Sequence, residues 1–190
     1  MTTLLLLARV LLLSSSSAGL LSGIASASGG VRGLKHIHLY MHETFTGPNS
    51  TLYAAVPARQ GGDTTFGMVG VLDDELRDGP DPTNSSLVGR FQGLFAFAGL
   101  VTAPGMQTVV SLVFTGGEHA GSTVVLAGSV VSSVGPYETA VVGGTGAFRM
   151  ARGYCVLKAL WSPTPESTVY DVNLLVKMEE QDYMFLDMDA

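Results

Sequence analysis

The sequence predicts an all-β fold, an antiparallel barrel or sandwich of eight or nine short strands. Three observations carry that prediction. The 190 residues include 24 Gly and 8 Pro, and Gly, Pro, Asn and Asp punctuate nearly every gap between apolar segments. Residues 35–45, KHIHLYMHETF, alternate without a break, with Ile37, Leu39, Met41 and Glu43 on one face and His36, His38, Tyr40 and His42 on the other. No ten-residue stretch after the leucine-rich start has helical periodicity, and there is no fixed-period repeat.

The expected strands follow one another at short intervals. After residues 35–45 come Leu52–Val56, Thr65–Leu72, Leu87–Gly99, Gln107–Thr115, Ser122–Val131, Glu138–Val142, Gly153–Trp161 and Thr168–Met178. Strands at this spacing fit an antiparallel barrel or sandwich. Closure into a barrel would leave no exposed edges. Eight strands is also the size that holds one small ligand.

Composition narrows the class. A chain that is 46% hydrophobic and 14% charged is long enough for one core and too apolar for disorder. A net charge of −6 gives no basic face for nucleic acid. The single cysteine, Cys155, cannot form an internal disulfide.

The first segment reads as targeting rather than fold. Residues 3–13, TLLLLARVLLL, are too short for a comfortable membrane span and carry Arg9 in their middle. Small residues follow, and Ala25-Ser26-Ala27 fits a small-x-small cleavage site. The expectation is a secretory signal peptide over 1–27 and one β-domain over 28–190, with no membrane association once the signal is cut. Two sequons, Asn49-Ser50-Thr51 and Asn84-Ser85-Ser86, lie in turn-rich stretches and are expected to carry glycans.

Several chemistries lack their signatures. There is no Gly-x-Ser-x-Gly elbow. The run Gly143-Gly144-Thr145-Gly146 lacks the Gly-Lys-Ser/Thr ending of a phosphate loop, and no helix pattern follows it, so it reads as a tight strand-to-strand connection. His36, His38 and His42 share a strand face, but a polar barrel face explains them more plainly than a metal site does. Asp73 and Asp74 are adjacent, would face opposite ways in a strand, and read as a solvated loop entry. Glu43 is different: it continues the apolar face of Ile37, Leu39 and Met41. If that face points inward, its carboxyl has a raised pKa suited to proton transfer. Glu138 opens a strand, and Arg149 lies across the Gly-rich turn, where it could pair with a carboxylate or a ligand oxygen.

Five ordered blocks resemble a plant dirigent protein. They are LYMHETFTGPNST (39–51), FGMVGVLDDELRDGPDP (66–82), SSLVGRFQGLF (85–95), GSTVVLAGS (121–129) and VVGGTGAFRMARGY (141–154). The resemblance implies an eight-stranded antiparallel barrel of the allene-oxide-cyclase-like (calycin) type, secreted to the apoplast, glycosylated, free of cofactors and homo-oligomeric as a trimer or dimer. It implies binding of phenoxy radicals or quinone methides, with a separate laccase or peroxidase as oxidant, and stereoselective coupling as in lignan formation from coniferyl alcohol. It places Glu43, Glu138 and Arg149 in the catalytic role and Phe95, Tyr137 and Arg152 against substrate. Glu43 stands where the family usually has Asp, Phe95 where a Tyr is common, and Tyr137 where an Arg is common. Two further classes fit the same residues: a cyclase or dehydratase acting on closed-shell quinone methides, and a non-catalytic phenolic-binding defence barrel.

Overall fold

The computed structural model describes residues 33–59, 65–100, 105–130 and 135–178. The expected signal peptide lies outside them. Nine strands follow in order: β1 (Leu34–Thr44), β2 (Leu52–Val56), β3 (Val69–Arg77), β4 (Leu87–Phe97), β5 (Met106–Phe114), β6 (Thr123–Val130), β7 (Tyr137–Thr145), β8 (Arg152–Trp161) and β9 (Ser167–Lys177). A short 3-10 turn, Gly146–Phe148, joins β7 to β8.

From β3 to β9 each strand pairs antiparallel with the next, and β1 closes the ring. It pairs with β9 along its whole length, from Leu34↔Lys177 to Thr44↔Ser167. On its other side it pairs with β3 only at Tyr40↔Arg77, Met41↔Leu76 and His42↔Glu75. There β1 leaves β3, and β2 takes its place at Leu52↔Leu72. β1 and β2 therefore share one stave of a closed eight-stranded antiparallel barrel.

The alternation of the sequence sets which side chains fill the barrel. Ile37, Leu39, Met41 and Glu43 point inward from β1, as the pattern predicts, and the three histidines of β1 point outward. The largest departure from the expected strands is β3, which runs on to Arg77 instead of ending at Leu72. The charged run Asp73–Arg77 does not break the strand because its outward members find partners of opposite charge, on β4 and within β3 itself. Arg90 Nε donates to Asp73 at 2.7 Å, and Arg77 Nε donates to Glu75 at 2.8 Å. Opposite charges at neighbouring outer positions support a sheet as β-branched pairs do.

The two ends of the barrel differ. At the end where β7 gives way to β8, the chain folds inward and Phe148 is fully buried. Its ring stacks on Phe114 with centroids 5.4 Å apart and meets the edge of His119 at 4.8 Å. The Gly-rich run makes this turn possible. Gly146 has φ +60, and a Cβ on Gly144 would collide with the Thr123 carbonyl and press on Phe148. The run is thus a structural connection, as its sequence context predicts. At the other end the inward positions Thr108, Gly128, Val130 and Tyr137 are only half-buried. Gly128 faces inward without a side chain, and nothing lies within 3.7 Å of where its Cβ would be; the nearest atoms are at 3.8 Å. This end is the mouth.

Phe148 is fully buried between Phe114 and His119, so its removal leaves a void among rigid strands. Phe148→Ala should lower the unfolding free energy by about 3–5 kcal/mol, measured by urea denaturation monitored at the single Trp161.

Candidate functional site

Among the described residues, the buried carboxyl groups of the barrel lie on neighbouring strands near the mouth. Met41 lies opposite Leu76 in the β1–β3 register. One inward step further along each strand brings Glu43 opposite Asp74, just past the last paired residues. Glu43 is 8% exposed and Asp74 is 0% exposed. Asp74 in turn lies opposite Phe91 of β4. From β9, Tyr170 points inward beside Met41, and from β7, Tyr137 points inward and is half-buried. Phe95, with Phe97 and Met68, forms a second apolar cluster toward the mouth. The Phe95 ring lies directly over Gly70, where a Cβ would overlap it.

Burial governs the electrostatics. Removal from water pushes the Glu43 carboxyl up to about 7, opposed by a hydrogen bond with the Tyr170 hydroxyl. Asp74 is pushed well above the usual carboxylate range, first by burial and then by the nearby Glu43 charge. The Thr51 hydroxyl and the outer Arg90 oppose that shift. Burial also raises the phenol of Tyr170 well above its ordinary value and raises that of Tyr137, with Glu43 adding to both. These four groups converge within one barrel level. An apolar site with an acid that keeps its proton near neutrality can protonate a ligand oxygen without a metal or nucleotide.

Comparison with known proteins fits this geometry. A model of the dirigent-like protein family matches residues 34–177, all nine strands. The chain belongs to the dirigent-like protein family. It is 38% identical over 148 residues to Dirigent protein 21 of Arabidopsis thaliana, covering 75% of this chain and 76% of that one. It is 40% identical over 126 residues to Pterocarpan synthase 1 of Glycyrrhiza echinata, covering 65% of this chain and 66% of that one. A solved structure of a pterocarpan synthase dirigent protein superposes with a TM-score of 0.67 at 31% identity, covering 77% of this chain and 86% of that one.

The dirigent barrel sorts the sequence-derived residues into two groups. Glu43, Phe95 and Tyr137 face the interior as expected. Glu138 and Arg149 do not join them. Glu138 is exposed on the outer wall, because Tyr137, Thr139 and Val141 take the inward positions of β7. Arg149 is exposed just after the 3-10 turn, at the closed end of the barrel. Arg152 is exposed beside it at the start of β8, its guanidinium donating to the Ala151 carbonyl at 2.9 Å. The expected convergence of Glu43, Glu138 and Arg149 is thus corrected to Glu43, Asp74, Tyr137 and Tyr170. Asp74, read in the sequence as a solvated loop residue, is an interior acid. The histidines of β1 stay on the outer wall, His36 bonded to Asn173 at 2.8 Å and His38 to Asp171.

The raised Glu43 carboxyl has a stability signature. Its folded value of about 7 exceeds the ordinary glutamate value of 4.5, so the native state binds its proton more tightly than the unfolded chain does. Its contribution is then fully present below about pH 4.5 and is lost as pH rises toward about 7. In urea titrations the wild type should lose on the order of 3 kcal/mol relative to Glu43→Gln across that window. Parallel pH profiles of the two proteins would rule this out.

Proposed function

We propose that the barrel binds a phenolic intermediate and directs its bond formation to one stereoisomer, with Glu43 as the proton donor. The observation that carries this reading is the buried, proton-retaining Glu43 set among Tyr170, Tyr137 and an apolar wall. The family supports a phenolic ligand, and relatives named pterocarpan synthase match at the same level of identity as those named dirigent protein.

The chemistry follows from the side chains. A quinone methide carries a carbonyl oxygen conjugated with an electron-poor benzylic carbon. When the Glu43 carboxyl gives its proton to that oxygen, the ring regains aromaticity and the benzylic carbon accepts attack. An internal hydroxyl forms the new C–O bond and returns its proton to the Glu43 carboxylate, so the acid is regenerated. Handedness comes from holding one face of the intermediate toward the nucleophile, which positioning alone can achieve. Phe91, Phe95 and Phe97 supply flat apolar surface for the aromatic ring. An external laccase or peroxidase would generate the radical or quinone methide. Under a second reading, supported by the same aromatic wall, the barrel only steers radical coupling and Glu43 takes no part.

Chiral chromatography of monolignols oxidised by laccase, with and without the protein, separates these readings. Glu43→Gln should slow the directed closure about 100-fold, and product should approach the racemic mixture. Glu138→Gln and Arg149→Ala, on the outer wall and closed end, should leave selectivity unchanged. Full selectivity in Glu43→Gln would favour steering alone. A closed-shell precursor supplied without oxidant should still be converted.

The proposal includes secretion and glycosylation. Asn49 and Asn84 are both exposed on loops, between β1 and β2 and between β3 and β4. Protein recovered from a plant secretion medium should lose mass on glycosidase treatment, and Asn49→Gln with Asn84→Gln should abolish that loss.

A further inference from the structure

Asp74 is the interior group for which neither the sequence pattern nor the family positions offered a role. Its carboxyl is fully buried, neither oxygen has a partner of good hydrogen-bond geometry, and the Thr51 hydroxyl is its polar neighbour. The Thr51 hydroxyl beside it is engaged with the Thr44 backbone, accepting from its N–H at 3.0 Å and facing its carbonyl at 3.3 Å. Opposite Asp74, across the seam where β1 leaves β3, stands Glu43.

No cation neutralises this pair from within. Among the described residues, Arg77 and Arg90 lie on the outer face of β3 and β4, bonded to Glu75 and Asp73. Lys35 is at the far end of β1, bonded to Glu118 at 2.7 Å. The other titratable groups that interact with the pair are the phenols of Tyr170 on β9 and Tyr137 on β7. Both are neutral acids near pH 7, so neither supplies positive charge. Two carboxylates without a counter-ion in an apolar interior cannot both ionise at ordinary cost.

We propose that Glu43 and Asp74 hold one proton between them through the neutral range, and that Asp74 is the positioning residue that keeps Glu43 charged with the proton it donates. Burial alone already holds the first proton above the usual carboxylate range. The second must leave against the carboxylate already present, so it departs at higher pH than from either acid alone. Burial raises both carboxyls and the Glu43 charge raises Asp74 further, so the two titrations are coupled. The inference rests on the proposed role of Glu43 only for the word "donates"; the shared proton stands on the geometry.

The test is carbon-13 NMR of labelled Asp and Glu carboxyls in the wild type, Asp74→Asn and Glu43→Gln, with circular dichroism to confirm folding. The wild type should keep one carboxyl proton to a pH at least about one unit above the point where each single-amide variant has lost its own. In the chiral coupling assay the upper pH limb of Asp74→Asn should move down by the same amount. A purely structural Asp74 would lower activity without moving that limb. If Asp74→Asn does not fold, Glu43→Gln against wild type gives the same comparison. Titration of the pair at the same pH as the single acids would overturn the inference, even if Glu43→Gln had lost selectivity. A retained proton with selectivity indifferent to both amides would leave the shared proton standing and overturn the donor role of Glu43.

Discussion

Two carboxyl groups facing each other inside an apolar barrel dominate the energetics of this protein. Each must give up hydration to enter the barrel, and among the described residues no cation points inward to meet them. Everything near them answers to that constraint. Tyr170 brings a hydroxyl to Glu43, while the arginines of the same strands are kept on the outside by Asp73 and Glu75. The closed end, packed with Phe114, Phe148 and His119, holds the walls together without help from the acidic level. The barrel can therefore carry a costly level near its mouth because its far end is sealed by packed aromatic rings.

Much of this was legible in the residues. The unbroken alternation of residues 35–45 grouped Glu43 with Ile37, Leu39 and Met41, the face that lines the barrel. The Gly-rich run declared itself a connection by what it lacked. The failures have physical causes. Asp74 was hidden because DDELR looks like a solvated entry. Only the partners on β4, 17 residues away in sequence for Arg90 and Asp73, make it a strand. Glu138 was misplaced because Tyr137, Thr139 and Val141 alternate with Glu138, Ala140 and Val142, two sets too alike in polarity to choose between. Tyr170 left a readable signal that went unused. In STVYDVNLLVK the polar Asp171 and Asn173 alternate with Val172 and Leu174, which puts Tyr170 inside.

Family position and barrel phase gave different answers for Arg149. The segment around it is the most recognisable block of the chain, yet its conspicuous glycines and buried Phe148 serve the closed end. A motif can mark a family through the turn it builds as readily as through the chemistry it performs.

The pairing of β1 with β9 also sets the order in which the interior comes into being. His38 and Asp171, bonded across that ladder, are 133 residues apart. As the chain emerges from the ribosome, every other ladder can form between neighbours while β1 waits for its partner. Closing so long a loop is entropically slow and comes late. Until then Glu43 is in water, ionised and ordinary. The arrival of β9 strips its hydration and delivers Tyr170 in the same motion. A chain without β9 lacks both the ladder that buries Glu43 and the Tyr170 hydroxyl that meets it.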